Sequence, residues 1–202
     1  MRTLIISAFL ISLTFATAAM ADAVIGEPAP DFKLKSAEGE TVTLESLKGD
    51  YVILEWTNKD CPFVRKHYDS SNMQKLQKQT AEAHDDVTWL TILSSAEGKQ
   101  GHLTPAEALA HAEEVDAAAS HILLDAKGVV GKAYGAKTTP HMYVIDKEGI
   151  LRYAGAIDSI ASADPADIET ADNYVIGALG ALKSGAAVEP SQTQPYGCSV
   201  KY

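Results

Sequence analysis

The sequence predicts an α/β fold with a mixed central sheet flanked by helices, and three observations carry that expectation. Two near-continuous apolar runs, "YVILEW" at 51–56 and "VTWLTIL" at 87–93, have the composition of strands buried on both faces. Helical patterns with start signals follow each of them. Two further strands, "HMYVID" and "ILRYAGAI", flank Lys147-Glu148-Gly149 as a hairpin, and an amphipathic helix closes the pattern.

The elements follow in order. "IGEPAPDFKLKSAEGETVTLESLKG" reads as two short strands, Phe32 to Lys35 and Thr41 to Leu44, joined by the turn at Glu38-Gly39. After "YVILEW", Pro62 takes a position that proline favours in the first helical turn, so Cys61 stands at a strand-to-helix junction. The helix pauses at "DSSN", where Ser71 and Gln74 have capping-box spacing, and resumes through Met73, Leu76 and Thr80. "SSAEGKQGH" is a polar loop, and Thr104, Pro105 and Glu107 supply cap, first position and capping-box partner of the next helix. "HILLD" is a strand, "VVGKAYGAK" a short helix ending near Gly135, and "DIETADNYVIGALGALKSG" the final helix, with apolar positions at Ile168, Val175, Leu179 and Leu182. The tail "AAVEPSQTQPYGCSVKY" is too polar and proline-broken for a regular element, and reads as a strap lying on the domain.

Residues 1–21 have a basic start at Arg2, an apolar run from Leu4 to Phe15 and small residues at Ala19 and Ala21. They read as a secretory leader cleaved before Asp22, the run being shorter than the roughly 20 residues of a spanning helix. The expected organisation is thus a leader at 1–21, one domain at 22–184 and a tail at 185–202. The domain is large enough to bury about 70% of its unfolded surface without disulfides. The chain carries 17 Lys and Arg against 27 Asp and Glu, a net charge of -10, which makes nucleic acid and anionic lipid poor partners. Localisation is expected to be periplasmic or extracellular, with no stable membrane insertion after cleavage. Its two cysteines, Cys61 and Cys198, lie in the exported part, where disulfides persist.

Cys61 is the first candidate for chemistry. A thiol is nucleophilic as thiolate, and the unpaired N–H groups of a helix start favour that anion. Arg65, one turn on, adds positive charge on the same face, with Lys66 and His67 close in sequence; a solvated basic face is the plainer reading of these three.

"GEPAPDFKL", "VILEW", Cys-Pro at the helix start, "YGAKTTPHMYVID" and "GILRYAGAID" resemble the thioredoxin-fold redoxins, the alkyl hydroperoxide reductase/thiol-specific antioxidant group and its exported thiol–disulfide relatives, over about residues 25–183. The resemblance implies a redoxin fold, a thiol or disulfide substrate and an external thiol reductant. It implies that Pro140 is the cis proline opposite Cys61 and that Thr139 pairs with an extended thiol substrate, an ordinary strand-entry turn being the competing reading; Pro62, Arg65 and Trp56 are further candidates to bind that substrate. Glu55 falls where such proteins keep a buried carboxylate that moves protons, and a desolvated Glu suits that task; a salt-bridged strand Glu is the competing reading. Two departures matter. Leu54 and Asn58 replace the proline and threonine of a peroxidase motif, and Val64 replaces the second cysteine of Cys-x-x-Cys.

The leading expectation is an exported thiol–disulfide oxidoreductase or peroxidase-like thiol-dependent antioxidant in which Cys61 attacks a disulfide or hydroperoxide. Cys198 is the sole other thiol in the chain able to resolve the intermediate, within one chain or across a homodimer. A permanent Cys61–Cys198 staple is the structural alternative. No cofactor or metal is expected. Two other function classes remain open: a copper-handling protein using Cys61, His67, His141 and Met142, and a redox-inactive peptide-binding module. Lys99 and His102, in the polar loop, are further candidates to line the cleft.

Overall fold

The computed structural model describes residues 23–83 and 85–202; the expected leader and its cleavage site lie outside them. Among the described residues the strands are β1 (Lys33–Ser36), β2 (Thr41–Thr43), β3 (Tyr51–Trp56), β4 (Val87–Leu93), β5 (His121–Leu124), β6 (Thr138–Thr139), β7 (His141–Ile145), β8 (Leu151–Gly155) and β9 (Cys198–Ser199). The helices are α1 (Pro62–Asp69), α2 (Asn72–Ala83), α3 (Pro105–Glu114), α4 (Val129–Ala133) and α5 (Tyr174–Ser184).

Seven of these strands form one mixed sheet in the order β2-β1-β5-β4-β3-β7-β8. β3 runs parallel to β4 and antiparallel to β7, so Glu55 stands between Thr91 and Met142, and Trp56 between Ile92 and His141. This is a thioredoxin-like sheet with helices on both faces. β3 and β4 match the two apolar runs residue for residue, because a strand covered on both faces needs no polar positions.

Alternate residues of β3 enter two cores. Val52, Leu54 and Trp56 pack with Leu90, Ile92, Tyr134 and Tyr143 on one face. Ile53 packs with Met73, Trp89, Val144, Val175 and Leu179 on the other. Each of the larger side chains contributes about 1.5–3 kcal/mol by leaving water.

Local signals held where their partners are local. Thr104 and Glu107 form the full capping box of α3, and Gly149 turns the β7–β8 hairpin with φ +83°. Two expectations need correction. Ser71 and Gln74 do not form a capping box: the Ser71 carbonyl accepts from Lys75 N–H at 3.1 Å, but its φ is +62°, outside the extended region a capping residue usually occupies, and Gln74 instead donates to the carbonyls of Tyr68 (2.9 Å) and Val115 (2.6 Å). Ile168 lies in a separate 3-10 turn, Pro165–Glu169, because Asn173 starts α5 by accepting from the N–H of Ile176 at 3.0 Å.

The tail does contain a regular element. β9 pairs antiparallel with β6, placing Thr138 opposite Ser199 and Thr139 opposite Cys198. Side chains fasten it on either side. Thr193 sits where a Cβ on Gly155 would be, and the Tyr202 ring lies against Gly128 and Gly131 with its hydroxyl donating to Ala136 O at 2.8 Å.

Candidate active site around Cys61 and Cys198

The turn after β3 is built by Asn58, a residue that sequence reasoning passed over except as a departure from a peroxidase motif. Its side-chain oxygen accepts from Asp60 N–H at 2.9 Å, its amide donates to Gln100 O at 3.2 Å, and its carbonyl accepts from Cys61 N–H at 3.0 Å. Gly101 has no room for a side chain, since a Cβ there would lie 2.3 Å from Asn58. The signal was available: an Asn two residues before Asp60 in a turn has Asx-turn chemistry.

That turn delivers Cys61 as the N-cap of α1, extended at φ -82° and ψ 122°, with Pro62 exposed in the first turn. Cys61 is sealed, 0% exposed. Its thiol donates to Thr139 O at 3.1 Å, and the backbone N–H of Cys198 donates to its sulfur at 3.4 Å, across 137 positions of chain. The Thr139–Pro140 bond is cis. Both cysteines are free, and Cys198 is half-buried. Gly197 makes the approach possible, because a Cβ there would sit 2.1 Å from Thr139 O and its φ is +129°.

The two thiols are tuned apart. Burial pushes the Cys61 thiol up, but hydrogen bonds from the Cys198 thiol and backbone, from Val64 N–H and from Thr139 outweigh it, so the net shift is downward. Burial, the bond to Cys61 and the charge on Cys61 push Cys198 up to about 11.

Glu55 is wholly buried, with no salt bridge among the described residues. It accepts from Tyr68 (2.9 Å), Trp89 (2.9 Å) and Gln77 (3.2 Å). Burial raises its pKa, and these donors oppose the rise without cancelling it. No direct hydrogen bond joins it to Cys61. Val64, where a second cysteine of Cys-x-x-Cys would stand, lines a cavity of about 40 Å³ with Thr57, Tyr68 and Thr91.

Trp56 and Arg65 are placed differently from the expectation. Trp56 is 0% exposed on the opposite face of β3, its indole donating to Ser94 at 3.0 Å and its rings packed against Tyr134 and Tyr143, so it offers no surface to a substrate. Arg65 is exposed and paired with Asp69 at 3.2 Å, so its charge is turned to a neighbour on the helix surface. Lys66 and His67 are not a solvated face: they are 1% and 0% exposed. Lys66 pairs with Asp158 at 3.1 Å, and burial, against the pull of Asp158 and with the charge of Lys66, holds His67 down to about 4.

The copper ligand set does not assemble. His67 is engaged with Asn72 and His141 with Lys137 N–H, and Met142 is a core residue. Among the described residues no group of three or more His, Cys, Asp or Glu side chains is arranged to hold a metal ion. In the polar loop, His102 contacts Ser95 O at 3.1 Å.

A mixed sheet with a cysteine at the start of the helix after β3, facing a cis proline turn, defines a thioredoxin-like protein. The chain belongs to the AhpC/TSA family, whose pattern matches residues 25–154. It is 30% identical over 128 residues to the thioredoxin-like protein YneN of Bacillus subtilis (strain 168), covering 63% of this chain and 68% of that one. It superimposes with a TM-score of 0.75 on an uncharacterised conserved protein from Geobacillus kaustophilus, at 27% identity over 89% of this chain and 92% of that one. A thioredoxin domain of a thiol-disulfide oxidoreductase from Bacteroides vulgatus shares the fold, with a TM-score of 0.52 and 19% identity over 74% and 98% of the two chains.

Proposed function

We propose that this chain is an exported thiol–disulfide oxidoreductase whose redox pair is Cys61 and Cys198. The observation that carries the reading is the Cys198 N–H on the Cys61 sulfur, 3.4 Å away, beside the Thr139–Pro140 turn. Cys61 thiolate attacks one sulfur of a disulfide RSSR, forming Cys61–S–S–R and releasing RS⁻. Cys198, losing its proton, then attacks the Cys61 sulfur, forming the Cys61–Cys198 bond and expelling the second RS⁻. Two enzyme thiols are oxidised and one disulfide becomes two thiols; an external thiol reductant reverses the sequence. Glu55, held toward its protonated form, is the nearby proton carrier in this scheme.

A disulfide suits the site better than a hydroperoxide. Asn58 directs its side chain to Asp60 and Gln100, and Arg65 pairs with Asp69, so neither is aimed at Cys61 to hold a peroxide. Export rests on the leader pattern at 1–21, and no helix among the described residues is long and apolar enough to cross a membrane.

The test is a thiol titration with glutathione disulfide. Wild type should lose both thiols in forming the internal bond, and Cys61→Ser should react at least tenfold more slowly, as expected when the activated thiolate is removed. Equal rates for the two proteins reject the reading. A bond that forms but resists an excess of dithiol reductant identifies a permanent staple instead.

A further inference from the structure

The helix that carries Cys61 also grips the tail that carries Cys198, through a buried charge pair that the proposed chemistry does not use. On α1, Lys66 Nζ contacts Asp158 Oδ2 at 3.1 Å and donates to Ile160 O at 3.2 Å. Asp158, 4% exposed, uses its other oxygen to accept from the hydroxyl of Tyr196 and from Ile160 N–H at 3.1 Å. Tyr196 lies two residues before Cys198. Its ring packs edge-on against Phe63, also on α1, with centroids 5.8 Å apart, and Lys66 Nζ lies 5.7 Å from the ring centroid.

Burying a lysine and an aspartate costs several kcal/mol of hydration per ion, which their attraction offsets only in good geometry. Apolar residues of similar volume stabilise such a place as well or better. What an apolar pair could not do is accept the Tyr196 hydroxyl at a fixed point. The backbone of β9 and the Tyr202 ring hold the tail on the domain, but Tyr196 is the anchor next to Gly197 and Cys198 that reaches the helix of Cys61.

We propose that Asp158 and Tyr196 are positioning residues that set Cys198 over Cys61 and govern both closure of the internal disulfide and access to Cys61. The proposal rests on the Cys61–Cys198 reading above. In the step concerned, the Cys198 thiolate attacks the Cys61 sulfur of Cys61–S–S–R, the Cys61–Cys198 bond forms, the bond to R breaks and RS⁻ leaves. The fixed anchor keeps the attacking sulfur close to its target, the condition under which an intramolecular step is fast. When the anchor is loosened, the segment covering Cys61 spends more time away.

The experiment uses the full chain, with glutathione disulfide as oxidant and iodoacetamide as probe of Cys61. Tyr196→Phe keeps the ring and removes only the hydroxyl. It should slow closure about tenfold, so that a Cys61–glutathione adduct accumulates by intact mass, and speed alkylation of Cys61 several-fold. Asp158→Asn, which keeps an acceptor for Tyr196, should stay closer to wild type than Tyr196→Phe in closure rate while melting lower. Ile122→Val, a change in β5 within a core cluster that includes no tail residue, should lower Tm and leave both rates unchanged, because positioning and general stability are separable readouts. If wild type closes and Tyr196→Phe closes within a factor of two of it, the positioning role is overturned and the redox reading stands. If Ile122→Val alters the two rates as Tyr196→Phe does, the effect is general destabilisation and the positioning role is likewise overturned. If wild type forms no internal disulfide, the redox reading itself fails. Should Asp158→Asn not fold, Tyr196→Phe alone decides.

Discussion

Cys61 and Cys198 are held by different kinds of force. Cys61 ends a turn locked by Asn58 and starts a helix packed on the sheet core, where strand pairing and apolar burial act together. Cys198 sits on a strap held mostly by separate contacts, a two-residue strand, Tyr196 on Asp158, Thr193 over Gly155 and Tyr202 over Gly128, with Val188, Tyr196 and Val200 packed only as partly buried margins of the two cores. Cooperative packing opens only with the whole domain, whereas a row of single contacts opens locally at a fraction of that free energy. One cysteine is therefore fixed and the other is movable. Cys61 is sealed, so the proposed reaction requires the strap to lift.

Gly197→Ala should break this arrangement most. The new Cβ meets Thr139 O at 2.1 Å and the residue must hold φ +129°, so β9 is pushed from β6. Overpacking and backbone strain together cost a few kcal/mol, which corresponds to alkylation of Cys61 faster on the order of a hundredfold. An unchanged alkylation rate would mean that the strap is not what seals the thiol.

Glu55→Gln probes the fixed region. The folded pKa of Glu55 lies above its ordinary value of 4.5, chiefly through burial. Its contribution to stability is therefore full below that value and is lost as pH rises through the folded pKa. Wild type should lose Tm relative to Glu55→Gln over that rise, even though the Gln variant is about 1–3 kcal/mol weaker at low pH because an amide cannot accept all three donors. Parallel Tm curves for the two proteins would show that Glu55 does not titrate in this way.

The smallest effect is expected from Thr104→Ala, which removes the capping box of α3, whose two partners bond to each other and not to the strap. It should lower stability by about 1 kcal/mol in urea unfolding and leave Cys61 alkylation unchanged. A matching rise in alkylation would mean that the strap and the domain open together.

The division between fixed and movable parts also separates what could be read in the sequence. β3, β4, the α3 cap and Cys61 at the start of α1 were legible because each depends on neighbours in the chain. Lys66 and His67 were not, because their burial depends on Asp158, more than ninety positions away. Trp56 failed by one residue of register: on a strand, neighbouring side chains take opposite faces, so Glu55 and Trp56 cannot serve the same face. Ser71 had the spacing of a capping residue, but spacing does not fix the backbone angle. The pairing of β9 with β6 has no periodic signal at two residues, and only Gly197, which leaves room for Thr139, hinted at it.

The hydrogen bond from the Trp89 indole to Glu55 gives the molecule an internal optical reporter. The chain has two tryptophans, and the other, Trp56, bonds to Ser94 on the opposite face of the sheet. A change of charge on Glu55 thus reaches one fluorophore through a hydrogen bond and the other only through space. Emission from a Trp56→Phe variant would report the protonation state of Glu55 without any added dye.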